Sequence, residues 1–152
     1  MKVRDVEDSI VIDATDLVLG RMASVVAKHL LNGERVTVIN AEKAVVTGNP
    51  RFIIERYKKF LRIRTLTAPW KGPIHHRRPD MLVRRTIRGM LPWKKTRGKE
   101  AYKRLRVYIG TPEFLSGVNA QTIPDAHVSD KVEAKFIRIG DISRELGWGM
   151  RR

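Results

Sequence analysis

The sequence contains no cysteine, which excludes a disulfide framework, a thiolate nucleophile and a cysteine zinc site. It also contains no apolar run of about 18 residues, the length from which a membrane-spanning helix is predicted. The first residues, MKVRDVEDS, lack the apolar region of a secretory signal. We therefore expect a soluble cytoplasmic protein without a membrane anchor.

Motifs for catalysis and for nucleotide binding are missing as well. The turn after the first predicted strand reads ATDLVLGRM, without the glycines of a dinucleotide fold, and there is no Walker A segment. His75 and His76 lie near Asp80, but adjacent residues point in different directions and no third ligand is suitably spaced. We predict no enzyme activity, cofactor, metal site or small-molecule substrate.

Acidic residues are scarce in one part of the chain. Residues 51–106 contain nineteen Lys or Arg and three acidic residues, a net charge of +16, whereas the remainder has twelve basic and thirteen acidic residues. The central third therefore supplies the whole formal charge of +15. Runs of charge usually lie on solvated faces, but such faces commonly mix signs. This segregation predicts a polyanionic partner.

The composition of this basic segment favours RNA over DNA. Arg outnumbers Lys twelve to seven within residues 51–106, which suits bidentate contacts to phosphate. No helix-turn-helix, zinc finger or basic zipper is evident, and basic helices joined by a Pro/Gly-rich loop suit an irregular folded RNA. Trp70, Trp93 and Tyr102 lie among the cations, where they either stack on unpaired bases or anchor the core.

The first half of the chain predicts an α/β core. A short apolar strand at 9–13 precedes an amphipathic segment, DLVLGRMASVVAKHLLNG, that Asp16 begins and Gly33 ends. A β-branched strand follows at 35–40, which completes a βαβ unit. A further strand is predicted at 44–47.

The second half carries the cationic elements. Helices are predicted at about 50–62, 79–90 and 98–105, with an extended Pro/Gly-rich loop at 65–79 and a strand at 106–110. In the tail, VEAKFIRI suggests an exposed strand or extended arm, and GDISRELGWGM suggests one helical turn. We expect a single RNA-binding domain over 1–152, with a core at about 9–112 and a C-terminal extension from about 113.

Three stretches resemble one known family. VIDATD, LGRMASVVAKHLLNGERVTVINAEKAVVTGNP and IRGMLPWKKTRGKEAYKRLRVYIGTP are similar, in order and spacing, to the universal large-subunit ribosomal protein numbered thirteen. The similarity covers about residues 9–112. The segment RIRTLTAPWKGPIHHRRP looks like the archaeal and eukaryotic form of the family rather than the bacterial one.

The resemblance implies a three-layer α/β/α domain with a mostly parallel sheet of about four strands and basic loop and helix extensions. It also implies a structural role in the large ribosomal subunit, binding to its rRNA beside neighbouring ribosomal proteins, and a part in subunit assembly. Lys43, the turn at 88–92 and the basic residues after it match the RNA-facing segments of the family. The basic composition alone leaves open a free-standing RNA-binding regulator or chaperone.

The predicted RNA-binding residues combine these matched positions with the cations and histidines of the basic segment. They are Lys43, Arg51, Lys58, Lys59, Arg62, Arg64, Lys71, His75, His76, Arg77, Arg78, Arg84, Arg85, Arg88, Lys94, Lys95, Arg97, Lys99, Lys103 and Arg104.

Overall fold

The computed structural model describes residues 9–115, 117–128 and 135–149. The strands are β1 Ser9–Asp13, β2 Arg35–Ile39, β3 Val45–Thr47, β4 Leu105–Val107 and β5 Phe136–Arg138. The α-helices are α1 Leu19–Leu31, α2 Pro50–Arg62, α3 Pro79–Met90, α4 Thr96–Lys103 and α5 Ile139–Glu145. Short 3-10 turns connect several of these elements.

The strands are divided between two sheets. β1, β2 and β4 form a parallel sheet with β2 in the centre, and β2 is buried from Val36 to Ile39. β3 and β5 form a separate antiparallel pair in which Val46 lies opposite Ile137. The predicted α/β class, with a mostly parallel central sheet, is confirmed.

The core lies mainly on one face of the parallel sheet. Ile12, Val36 and Leu105 of the sheet belong to one large apolar cluster with α1 and α3. The opposite face carries a smaller cluster of Val11, Ile39 and Leu115, against which Tyr108 packs. The alternation of side chains along the strands distributes their apolar residues between these two clusters.

Local signals define the helix ends that the sequence predicted. The Asn49 side chain accepts a hydrogen bond from the backbone N–H of Arg51, and Pro50 occupies the first turn of α2. Gly33, with φ of 101°, follows the last turn of α1 in the left-handed conformation. The predicted bounds of α2 (50–62) and α3 (79–90) are confirmed. Both helices begin at a proline, which favours the first turn of a helix.

Other local predictions were wrong. Asp16 does not begin α1: it has φ of 54°, and the helix starts at Leu19. Leu105 lies in β4 instead of the last turn of α4. Each error displaces an element end by a few residues, where propensity is a weak guide.

The C-terminal segment is part of the main core. Ile137 of β5 and Ile139, Ile142 and Leu146 in and after α5 belong to the same cluster as the βαβ unit. Gly140 allows α5 to approach the 3-10 turn Ala41–Lys43, since an added Cβ would lie 3.1 Å from the Glu42 carbonyl oxygen. Of the predicted tail strand or arm at 132–139, residues 132–134 lie outside the described residues, Phe136–Arg138 form a paired strand, and the predicted helical turn extends through residue 145.

A carboxylate joins the ends of β1 and β2. One oxygen of Asp13 accepts hydrogen bonds from the Thr15 hydroxyl at 2.7 Å, the Thr15 backbone N–H at 3.0 Å and the Asn40 amide at 3.0 Å. Burial raises the pKa of Asp13, but these hydrogen bonds and the nearby Lys43 outweigh burial, so the pKa lies below its usual value.

A close backbone approach fixes the start of α4. A Cβ added to Gly98 would lie 2.2 Å from the carbonyl oxygen of Pro92 and 3.1 Å from the Trp93 nitrogen. The turn and the helix therefore pack backbone to backbone. A side-chain rotation cannot relieve a contact with a carbonyl group, so this position requires glycine.

We predict that Gly98→Ala destabilises the protein by roughly 1–3 kcal/mol, as overpacking does, despite the better helix propensity of alanine. Gly89→Ala is the matched control, since Gly89 is a helical glycine with no atom within 4 Å of an added Cβ. It should leave stability unchanged or raise it by up to about 1 kcal/mol. Urea unfolding measures both changes, and equal stability of the two variants would contradict this account.

We predict that part of the stability in acid depends on Asp13. Because the folded-state pKa lies below the unfolded value, the ionised carboxylate stabilises the fold at neutral pH. This contribution is lost as the pH falls below about 4 and through the folded-state pKa. Asp13→Asn should be less stable at pH 7 and should lose less stability on acidification. Parallel pH profiles of unfolding free energy for both proteins would rule this out.

Candidate nucleic-acid interface

Most of the predicted cations lie on a surface built from α2, the loop 63–78, α3, the turn 91–95 and α4 with the following Arg104, which we call the basic surface; Lys43 lies outside it, in the 3-10 turn Ala41–Lys43. The structure describes every predicted RNA-binding residue. Many of the cations are exposed, and their side chains donate no hydrogen bond to any other residue that the structure describes. These are Lys43, Arg51, Lys59, Arg62, Arg64, Lys71, Arg77, Lys94, Lys95, Lys99 and Lys103.

The outer side of α2 contributes a row of cations. Arg51, Lys58 and Arg62 line a groove that also contains the partly buried Ile54. The ammonium of Lys58 lies 2.8 Å from a carboxylate oxygen of Glu145. The hydrogen bond and charge of Lys58 lower the pKa of the Glu145 carboxyl below its usual value. This pair is solvent-exposed, and exposed pairs contribute little to stability.

The loop 63–78 is attached at its base to α2 and α3. Nε2 of His75 lies 2.9 Å from the Ile63 carbonyl oxygen, and its ring meets the edge of the Phe60 ring at 4.5 Å. The Arg85 guanidinium donates to the Ile74 carbonyl oxygen at 3.2 Å. His75 thus has a structural contact in this loop, while His76 is partly buried.

Three arginines of α3 lie over aromatic rings, and Arg85, 5.6 Å from the centre of the Phe60 ring, is the most distant of them. The guanidinium carbon of Arg84 lies 4.7 Å from the centre of the Tyr102 ring, and that of Arg88 lies 4.0 Å from the Trp93 ring. The two rings meet edge to face at 5.2 Å. A guanidinium that stacks on a ring keeps the N–H groups at its edge available for a phosphate. Trp93 and Tyr102 are therefore platforms for arginines in this structure.

Some predicted RNA-binding residues also make contacts within the fold. Arg97 and Arg104 donate to the carbonyl oxygens of Leu31 and Leu30 at 3.3 and 2.9 Å. These carbonyls belong to the last turn of α1, a helix end that attracts cations, and that of Leu30 also accepts a hydrogen bond from the backbone N–H of Gly33. Arg78 forms two hydrogen bonds with Asp80, at 3.0 and 3.1 Å.

Sequence reasoning missed these structural contacts of Arg97 and Arg104. The sequence indicates the acceptors but not the donors of these hydrogen bonds. LLNG marks a helix end, where carbonyl groups accept hydrogen bonds from outside the helix. The donors, however, lie 66 and 74 positions further along the chain. No periodicity or spacing connects residues at such distances.

Within the described ranges, we find no group of three or more His, Asp or Glu side chains placed to bind a metal ion. In the same ranges, none of the helices is long and apolar enough to cross a membrane. The basic surface carries guanidinium, ammonium, imidazole and aromatic groups, which can bind phosphates and bases.

Sequence comparisons agree with the resemblance. A family profile described as Ribosomal protein L13 matches residues 7–113, about the range that the motifs cover. "Large ribosomal subunit protein uL13" of Methanopyrus kandleri is 47% identical over 148 residues, covering 96% of this chain and 91% of the relative. The protein of the same name from Archaeoglobus fulgidus is 48% identical over 145 residues, covering 93% and 90%.

A third archaeal relative, "Large ribosomal subunit protein uL13" of Thermoplasma acidophilum, is 46% identical over 137 residues, covering 90% of this chain and 97% of the relative. These similarities extend beyond the family profile, which ends at residue 113, into the C-terminal part of the chain. The fold, the segregated charge and the matches together show that the chain belongs to the ribosomal protein L13 family.

Proposed function

We propose that this protein is a structural component of the large ribosomal subunit in the cytoplasm, where it binds rRNA through the basic surface and supports subunit assembly. The observation that carries the proposal is the charge segregation, with nineteen Lys or Arg against three acidic residues over 51–106. In the fold, many of these cations are exposed on one set of adjoining elements. Such a surface needs a polyanion to neutralise it.

The binding mechanism depends on phosphate contacts. Exposed ammonium and guanidinium groups displace the condensed counterions of rRNA, so affinity should fall steeply with salt concentration. These contacts fix the position and orientation of the protein, whereas RNA shape and unpaired bases supply specificity. The protein acts by binding and by no chemical turnover.

The predicted RNA-binding residues differ in whether their side chains also make hydrogen bonds within the protein. Cations such as Lys59, Lys94 and Lys99, whose side chains donate no hydrogen bond to any described residue, can bind phosphate without breaking such a bond. Arg97 and Arg104 already donate to α1, and each still has other guanidinium N–H groups for a phosphate. We propose that these two arginines link the rRNA to the C-terminal end of α1.

Arg84 and Arg88 are the sharpest candidates for bidentate phosphate binding. They lie one turn apart on α3, and the rings of Tyr102 and Trp93 restrict their guanidinium groups. The Nε atom of Arg84 is buried and has no hydrogen-bond partner among the described residues, so a phosphate would be bound by the terminal N–H groups of this guanidinium. Restriction of a side chain before binding reduces the entropy that binding must overcome.

We also propose that the chain acts as one rRNA-binding domain, with neighbouring ribosomal proteins as further partners. The C-terminal residues of the described structure support this, because α5 packs into the same core as the N-terminal βαβ unit. The core and the basic surface would then bind the ribosome as one body.

We predict that replacing Arg84 and Arg88 together by Ala weakens binding to large-subunit rRNA by about tenfold for each arginine, the effect of losing a charge-assisted hydrogen bond. The salt dependence, as the slope of log affinity against log salt, should decrease by about 1.4 to 1.8 in total. Filter binding over a range of KCl concentrations measures both quantities. Thermal unfolding should show an intact domain, since Leu82, Val83 and Ile87 still anchor α3.

The matched control replaces Lys28 and Arg144 by Ala, which removes two exposed cations outside the basic segment. Equal binding by the wild type and the Arg84/Arg88 variant, or an equal loss in both double variants, would contradict the proposed site. A protein that binds random duplex DNA as tightly as rRNA would contradict the ribosomal role. Unfolding of the Arg84/Arg88 variant would assign the pair to stability instead.

A further inference from the structure

The tip of the loop 63–78 exposes large apolar side chains. Leu66 is 95% exposed and Trp70 is 79% exposed. Ile63 and Ile74, near the base of the loop, are also exposed. Side chains of this size usually pack into a core or an interface, and a concentration of them within one short segment marks a binding site.

The backbone of this loop has a defined conformation both at its base and at its tip. The contact between His75 and the Ile63 carbonyl joins its two ends. Gly72 packs closely on Thr65, since an added Cβ would lie 3.0 Å from the Thr65 hydroxyl oxygen. A 3-10 turn, Pro69–Lys71, then shapes the tip, with Lys71 N–H donating to the Ala68 carbonyl at 3.0 Å. The loop therefore holds Leu66 and Trp70 on a backbone whose conformation is fixed by these contacts.

Trp70 differs from the other aromatic residues of the basic segment. Trp93 contacts Arg88 and Tyr102, and Tyr102 also packs against the main core. Among the residues that the structure describes, no ring and no guanidinium group stacks on Trp70. The faces of its indole ring are therefore available to a partner.

The charges around the tip define the chemistry of that partner. Between Glu55 and Asp80 the sequence has no acidic residue, and besides Arg78, which pairs with Asp80, the loop carries Arg64, Lys71 and Arg77. All three of these cations are exposed. The partner must therefore be anionic and must also offer flat apolar faces. Unpaired nucleotides combine both properties, because each joins a phosphate to a base with a π-face.

We propose that the tip of this loop is a base-stacking site, in which Trp70 stacks on an unpaired rRNA base while Arg64 and Lys71 contact the adjoining phosphates. Leu66 covers the edge of the same base. The inference rests on the proposed rRNA binding and adds a second kind of contact to it: phosphate contacts on the helices position the protein, and the loop recognises a single-stranded feature of the RNA.

The test measures the affinity of the full-length protein for deproteinised large-subunit rRNA at several KCl concentrations. Trp70→Ala should lower the affinity roughly ten- to a hundredfold, the effect of losing one stacked base. The slope of log affinity against log salt should not change, because no charge is removed. Trp70→Phe retains an aromatic face and should keep most of the affinity.

Two further variants separate stacking from other effects. Arg64→Ala with Lys71→Ala should reduce the salt slope by about 1.4, the value for two phosphate contacts to a single strand. Phe114→Ala removes another half-exposed aromatic residue, outside the basic segment, and should bind as the wild type does. Since Trp70 makes no core contact, thermal unfolding of Trp70→Ala should equal that of the wild type.

The outcomes distinguish this inference from the proposed function. If Trp70→Ala binds rRNA with wild-type affinity while the Arg84/Arg88 variant binds more weakly, the stacking site is overturned and the proposed function is not. If Trp70→Ala binds naked rRNA normally but is retained more weakly in assembled large subunits, the loop tip contacts a neighbouring protein. That result overturns the stacking site as well. Wild-type protein that does not prefer rRNA to duplex DNA overturns the proposed function itself.

Discussion

The packing of α3 on α1 is the interaction on which the basic surface depends. Leu82, Val83 and Ile87 on the inner side of α3 share one apolar cluster with Met22 and Val26 of α1. Burial of a side chain of this kind contributes about 1.5–3 kcal/mol. This apolar contact opposes the mutual repulsion of the cations on the outer side of the same helix. The positions of the charges are therefore set by the core before any RNA binds.

Much of the fold and the character of the surface could be predicted because the relevant signals are local. The βαβ order follows from apolar periodicity, and Asn49 with Pro50 determines the start of α2 within one turn. The segregation of charge needs no coordinates at all. The motifs that indicated the family lie within residues that also build the core and the turn before α4, where Gly98 allows close packing.

What the sequence could not predict depends on residues distant along the chain. The pairing of β3 with β5 and the donation of Arg104 to the end of α1 each join segments that no period connects. The stacking of Arg88 on Trp93 depends on how a turn directs two side chains. A count of charges assigns all cations one role, whereas the structure separates free cations from those that also stabilise helix ends.

The antiparallel pairing of β3 with β5 has a consequence for the order of events during synthesis. Val45 pairs with Arg138, so the ribbon cannot form until residue 138 has left the exit tunnel. Contacts between such remote segments form late in folding. The emerging polypeptide therefore displays its polycationic middle before its core is closed. A nascent protein in this condition attracts any polyanion nearby, so the pairing of β5 with β3 limits the time during which nonspecific binding can occur.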